Sequence, residues 1–201
     1  MNRLILFAKY PTPGHVKSRL AAAIGAERAA VLYKEMVETV VCRTDPATDC
    51  AGYERTLCFD PPNRAADFKR WLPQIHDQRP QGSGDLGRRM CSALQECFTD
   101  NSRLCIIGTD CVELYSSVIR QAFDQLDAHD LVIGPATDGG YYLLGMNHLI
   151  PELFEGIAWS TDLVFAQTIA AAEHLQLQVA VLQTLTDIDT IRDFEKVVAN
   201  D

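Results

Sequence analysis

The residues of this chain best suited to chemistry are acidic and fall in three short segments: Asp110 in GTDC, Asp138 in TDGG, and Asp187 with Asp189 in TDIDT. Opposite them in character stands one basic segment, FAKYPTPGHVKSRL, running from Phe7 to Leu20. Carboxylates gathered in one place repel each other unless a positive group neutralises them. A hard divalent cation does this, and magnesium is usually held by one or two carboxylates together with substrate phosphates. Lys17 and Arg19 of the basic loop suit the phosphate oxygens that a metal leaves free. The set therefore reads as acid for a metal and base for a phosphate. It works only if the fold brings the segments to one crevice.

Each residue also has a plainer reading. Asp110 and Asp189 are good caps for helices that follow them, and Asp187 reads as the turn or cap member of its pair. Asp138, with Gly139 and Gly140, suits a tight hairpin turn. Lys17 and Arg19 could be solvated charges on a first helical turn. The basic loop has neither the Walker A pattern nor G-x-G-x-x-G. Its stiffness comes from Pro11 and Pro13, which lower the entropy lost on binding, and Gly14 permits close backbone approach. Backbone N–H groups at a helix starting near Ser18 would add to an anion site. His15 either touches phosphate or is solvated. Trp159 is a core aromatic or a stacking surface for a base or sugar. Tyr141 and Tyr142 point to opposite faces of a strand, so at most one is expected to face a crevice. No G-x-S-x-G or Cys/His pattern supports nucleophilic catalysis.

The elements that must position these residues follow from hydrophobic periodicity. Continuous apolar runs predict strands at 4–8, 56–60, 104–108, 131–136, 141–146 and 178–185. Stripes at helical spacing predict helices at 25–42, 64–72, 85–98, 116–126, 161–174 and 190–198. Residues 73–83 read as irregular. Alternation of apolar strands with helices predicts an α/β protein with a mostly parallel sheet, and the short TDGG turn predicts one strand running against the rest. In such sheets ligands bind beyond the carboxyl ends of strands, where all four segments fall.

The 201 residues, 47% of them hydrophobic, suffice for a single domain covering the whole chain. A net charge of −9 argues against a nucleic-acid or anionic-membrane partner. The seven cysteines show no metal spacing and read as buried reduced thiols, which predicts a cytoplasmic setting. The apolar run LILFA is too short for a signal peptide or a membrane span.

Taken together, FAKYPTPGHVKSRL, QGSGDLGRRM, IIGTDC, GPATDGGYYLLGM, GIAWST and TDIDT resemble a bacterial family described as glycosyltransferase A-like or nucleotide-diphospho-sugar transferase-like. The resemblance spans nearly the whole chain in the family's order. It implies a three-layer α/β/α sandwich of the nucleotide-diphospho-sugar transferase type, with a Rossmann-like nucleotide half. By that resemblance Asp110 and Asp189 hold Mg2+ or Mn2+. Lys17 and Arg19 hold phosphates, with Ala8, Lys9, Pro13 and Gly14 beside them and Gln81, Gly84 and Asp85 near the base or acceptor. Asp138 joins Lys17 and Arg19 as a catalytic residue, and Gly139, Gly140, Tyr141 and Trp159 lie on the acceptor side. Val112 stands where the family usually has proline, and Asp189-Thr190-Ile191-Arg192-Asp193 replaces the wider superfamily's Asp-Thr-Pro-Glu-Asp. The implied activity is metal-dependent glycosyl transfer from a nucleotide sugar to a small acceptor. The alternatives are nucleotidyl transfer from a triphosphate with pyrophosphate release, and a nucleotide-binding protein without catalysis.

Overall fold

The computed structural model describes residues 1–48, 52–98 and 102–200. Seven strands form one sheet: β1 (Asn2–Lys9), β2 (Tyr53–Asp60), β3 (Asp77–Pro80), β4 (Arg103–Ile107), β5 (Leu131–Pro135), β6 (Tyr141–Met146) and β7 (Val179–Val181). Their order is β3-β2-β1-β4-β6-β5-β7. The helices are α1 (Ser18–Ile24), α2 (Ala26–Arg43), α3 (Ala65–Trp71), α4 (Leu86–Cys97), α5 (Ser116–Gln125), α6 (Val164–His174) and α7 (Ile191–Asn200).

Apolar runs such as Leu4–Leu6 are fully buried because both sheet faces are covered. One face packs against α2, α3 and α5 through Val37, Val40, Phe68 and Phe123. The other packs against α4 and α6 through Met90, Leu94 and Ala172. A third cluster joins α1, α2 and α7 around Leu20, Met36 and Val197. The result is the expected three-layer α/β/α sandwich.

β6 runs antiparallel to both β4 and β5, whereas every other described pair is parallel. The start of β6 therefore lies at the same edge as the ends of the parallel strands. The turn 136–140 delivers Asp138 to that edge. Gly139 adopts φ +88° there, and a Cβ on it would stand 2.2 Å from the Asp162 carbonyl oxygen, so the close approach of this turn to the start of α6 requires glycine.

Three expectations are corrected. Residues 77–80 form an edge strand despite their polarity, because parallel pairing with β2 satisfies the backbone while Arg79 and Asp77 pair along the surface. The predicted strand at 178–185 narrows to Val179–Val181 plus one isolated bridge between Ala136 and Leu185. Among the cysteines, Cys42 is exposed and Cys91 half-buried, since both lie towards the outer faces of their helices; the six described are unpaired. Cys50 lies outside the described residues. No described helix is long and apolar enough to cross a membrane.

Candidate active site

The order in which strands join the sheet reverses at β1, whose parallel neighbours are β2 on one side and β4 on the other. Loops leaving the ends of β1 and β4 diverge there and open a crevice. It is a cleft of about 890 Å³, walled by the loop after β1, the loop after β4, the β5–β6 turn, α4 and the segment before α7. Tyr33 of α2 holds the two central loops together. Its hydroxyl accepts from the Lys9 backbone N–H at 2.9 Å and lies 3.4 Å from Thr109 Oγ1. The Thr109 hydroxyl in turn donates to the Phe7 carbonyl at 3.2 Å.

The acidic segments meet as the sequence predicts: Asp110, Asp138, Asp187 and Asp189 all line the cleft. The plainer reading fails for Asp110 and Asp189. α5 begins only at Ser116, and α7 is capped by Thr190 and Asp193, whose carboxylate accepts from the Thr190 N–H at 2.9 Å and from its hydroxyl at 2.7 Å. The Ile188 N–H donates to the Asp110 carbonyl at 3.1 Å, which fixes the TDIDT segment against the GTDC loop.

Lys17 takes a position that sequence reasoning did not anticipate. Its ammonium lies between the two expected metal ligands, 2.7 Å from Asp110 Oδ2 and 2.6 Å from Asp189 Oδ1, with only 3% of the side chain exposed. Its backbone is left-handed at φ 48°, an unusual conformation for a residue with a Cβ, at the start of α1. Burial works against its charge, but the two carboxylates outweigh burial and raise its pKa. Arg19 is exposed, with Nη1 3.6 Å from Asp189 Oδ2. Among the described residues the cation shared by this carboxylate pair is thus the protein's own.

Asp187, expected to be the turn or cap member of its pair, lines the cleft and makes no hydrogen bond or ion pair among the described residues. Burial, then the charge of Asp110, pushes its carboxyl up to about 8, with Lys17 opposing. One lysine does not compensate the whole acidic cluster. The donor set of carboxylate oxygens fits a hard divalent cation of the magnesium or manganese kind. Among the described residues no three His, Cys, Asp or Glu side chains are already arranged to hold one. Asp110 and Asp189 could hold such an ion only if the Lys17 ammonium left its place between them.

Of the other residues singled out in the sequence, Ala8, Lys9, Gly14, Gln81, Gly140, Tyr141 and Trp159 line the cleft, and Pro13, Gly84, Asp85 and Gly139 are not among its walls. Asp85 caps α4, accepting from the Arg88 N–H at 2.8 Å. Gln81 is buried, and its amide is already engaged: the nitrogen donates to the Cys58 carbonyl at 3.0 Å and the oxygen accepts from Arg89 Nη1 at 2.8 Å. Tyr141 and Tyr142 both border the cleft, contrary to expectation, because it wraps over the sheet edge and meets both faces. Trp159 lies so close to α4 that a Cβ on Gly87 would stand 2.4 Å from its indole, and it stacks against Phe154 with ring centroids 6.4 Å apart. Arg89 was missed. The sequence did carry a signal for it: a charge three residues after Leu86, on the apolar stripe of α4.

The strand order, the antiparallel β6 and the cleft at the β1–β4 switch place the protein in the nucleotide-diphospho-sugar transferase fold class. Residues 43–161 match a family described as uncharacterized protein conserved in bacteria (DUF2064). A solved protein from Desulfovibrio desulfuricans G20, to which a nucleotide-diphospho-sugar transferase activity has been ascribed, is 33% identical over 98% of this chain and 85% of its own, with a TM-score of 0.89. The chain belongs to this bacterial family. Two further structures share the fold at low identity. The inositol-1-phosphate CTP transferase from T. maritima has a TM-score of 0.65 at 14% identity over 100% of this chain and 94% of its own. Rv0371c from Mycobacterium tuberculosis H37Rv, in complex with manganese, has a TM-score of 0.59 at 13% identity over 100% of this chain and 98% of its own. No curated protein matches the sequence.

Proposed function

We propose that the protein is a metal-dependent transferase that uses a nucleotide-activated donor, and that its reaction is glycosyl transfer from a nucleotide-diphospho-sugar to a small acceptor. The observation that carries the reading is the meeting of Asp110, Asp187, Asp189 and Lys17 with the basic loop at the sheet's switch point. The related protein from D. desulfuricans, with its ascribed sugar-nucleotide activity, supports it.

In this reading Asp110 and Asp189 hold Mg2+ or Mn2+, as manganese is bound in the fold relative Rv0371c. When bound, such an ion neutralises phosphate charge as the leaving group departs. Lys17, freed from the two carboxylates, turns to the phosphates, and Arg19 at the cleft mouth adds a second positive group. Asp138 is held by one oxygen, Oδ1, which accepts from the Gly140 N–H at 2.9 Å. Its other oxygen can take the proton of an acceptor hydroxyl.

A second reading, nucleotidyl transfer, is favoured by one feature: a loop with both Lys17 and Arg19 suits a triphosphate tail. The fold relative from T. maritima is a CTP transferase. Incubation with labelled nucleotide sugars and nucleoside triphosphates separates the two by product. Nucleoside diphosphate release supports glycosyl transfer, and pyrophosphate release supports the alternative.

A further inference from the structure

The cleft has a second half, on the face of the sheet covered by α4. Its wall is apolar and aromatic, formed by Phe7, Leu86, Met90, Ile106 and Trp159. Two polar atoms interrupt it. Arg89 Nε and Tyr141 Oη are both buried without a hydrogen-bond partner among the described residues, and both residues line the cleft. Leaving a buried donor unsatisfied is costly, and such groups usually have a partner that is missing from the structure.

Arg89 is the more telling of the two. It has no carboxylate partner among the described residues. Its orientation is nevertheless fixed: Nη1 donates to Gln81 Oε1 at 2.8 Å, and Gln81 is itself anchored to the Cys58 and Ala8 carbonyls at 3.0 and 3.4 Å. With Nη1 engaged, Nε is left as a free donor on the opposite edge of the guanidinium. That edge, Nε with Nη2, is the fork that binds a carboxylate or phosphate through two parallel hydrogen bonds. The Tyr141 hydroxyl supplies another donor in the same cleft. In the same cleft Trp159, packed against Gly87 and Phe154, offers an aromatic surface to the body of a ligand.

We propose that this half of the cleft is an acceptor site that captures an oxyanion, with Arg89 and Tyr141 as the anion-binding pair. The acceptor class is a small carboxylate or phosphate ester whose ring or apolar body packs on Trp159. The assignment rests on the transferase reading above.

Phenyl phosphate and phenylacetate are suitable probes, since each joins an oxyanion to a flat apolar body. Their binding is followed by Trp159 fluorescence in a Trp71→Phe background, which leaves one tryptophan. At least one probe should bind the parent, and Arg89→Met should weaken it by roughly tenfold or more. Tyr141→Phe should weaken it several-fold while leaving the melting temperature unchanged or higher, because the lost hydroxyl has no partner among the described residues. The Tyr141 variant keeps the test valid if Arg89→Met fails to fold. The proposal is overturned if neither probe binds the parent, or if Arg89→Met and Tyr141→Phe bind as the parent does. It is also overturned if Arg89→Met weakens a nucleotide in the presence of Mn2+ but neither probe, since the anion would then be the donor's. Nucleotide binding by the parent is scored separately: its absence sinks the transferase reading, and its presence with Arg89-independent probe binding sinks only the acceptor site.

Discussion

Lys17 shows how far residue types alone can be trusted. Its charge and its place in the basic loop make it an expected phosphate ligand, yet it occupies the place between Asp110 and Asp189 that a metal would need. Competition follows from electrostatics. An ammonium in contact with both carboxylates must be displaced before another cation can take them. Lys17→Gln should therefore bind Mn2+ more tightly than wild type in the absence of nucleotide, by roughly tenfold as measured by calorimetry. Weaker or unchanged Mn2+ binding would show that Lys17 does not compete. Asp187 offers an independent check on the metal-free protein. Its carboxyl, near 3.8 when unfolded, is pushed up to about 8 by burial and by Asp110. Between those values the folded state holds the extra proton, so stability falls as pH rises through that window and levels above it. Asp187→Asn should flatten this slope and raise the melting temperature at pH values near the upper end. A variant with the wild-type slope would contradict the assignment.

At the scale of elements, Trp159 depends on α4 having no side chain at Gly87. Gly87→Ala places a methyl 2.4 Å from the indole and forces it to shift. The expected cost is about 1–3 kcal/mol in a thermal or denaturant melt, with a change in Trp159 fluorescence. A variant with wild-type stability and emission would show that the packing is looser than the geometry indicates. The same scale shows what was legible in the sequence. The buried strands at β1, β4, β5 and β6 announce themselves as apolar runs, and the antiparallel β6 follows from its short turn. β3 was not legible, because Asp77, Gln78 and Arg79 owe their strand conformation to pairing with β2 rather than to their own pattern. Nor was the role of Asp187 legible. Its spacing from Asp189 is compatible with a turn, and only the bond from Ile188 to the Asp110 loop decides where its carboxylate goes. Arg89 was visible as a misplaced charge on an apolar stripe, but its place in the site requires knowing that Gln81 holds it and that no carboxylate among the described residues does.

For the molecule as a whole, the fold accounts for how segments far apart in sequence make one site. β1 and β4 are adjacent in the sheet, β6 is reversed, and the segment before α7 returns to lie against the Asp110 loop. Acidic and basic groups thus share a cleft in a protein whose net charge is −9. On the proposed function, the basic loop serves a ligand's phosphates and does not reflect the surface at large. The central claim is that this cleft turns over a nucleotide-activated donor with a metal held by Asp110. The most direct test incubates wild type and Asp110→Ala with nucleotide sugars and nucleoside triphosphates, with Mg2+ or Mn2+, and measures the phosphorylated product released. The account predicts metal-dependent nucleoside diphosphate release from a nucleotide sugar by wild type, falling by roughly a hundredfold or more in Asp110→Ala. No metal-dependent release from any donor by wild type, or equal release by both proteins, would contradict it.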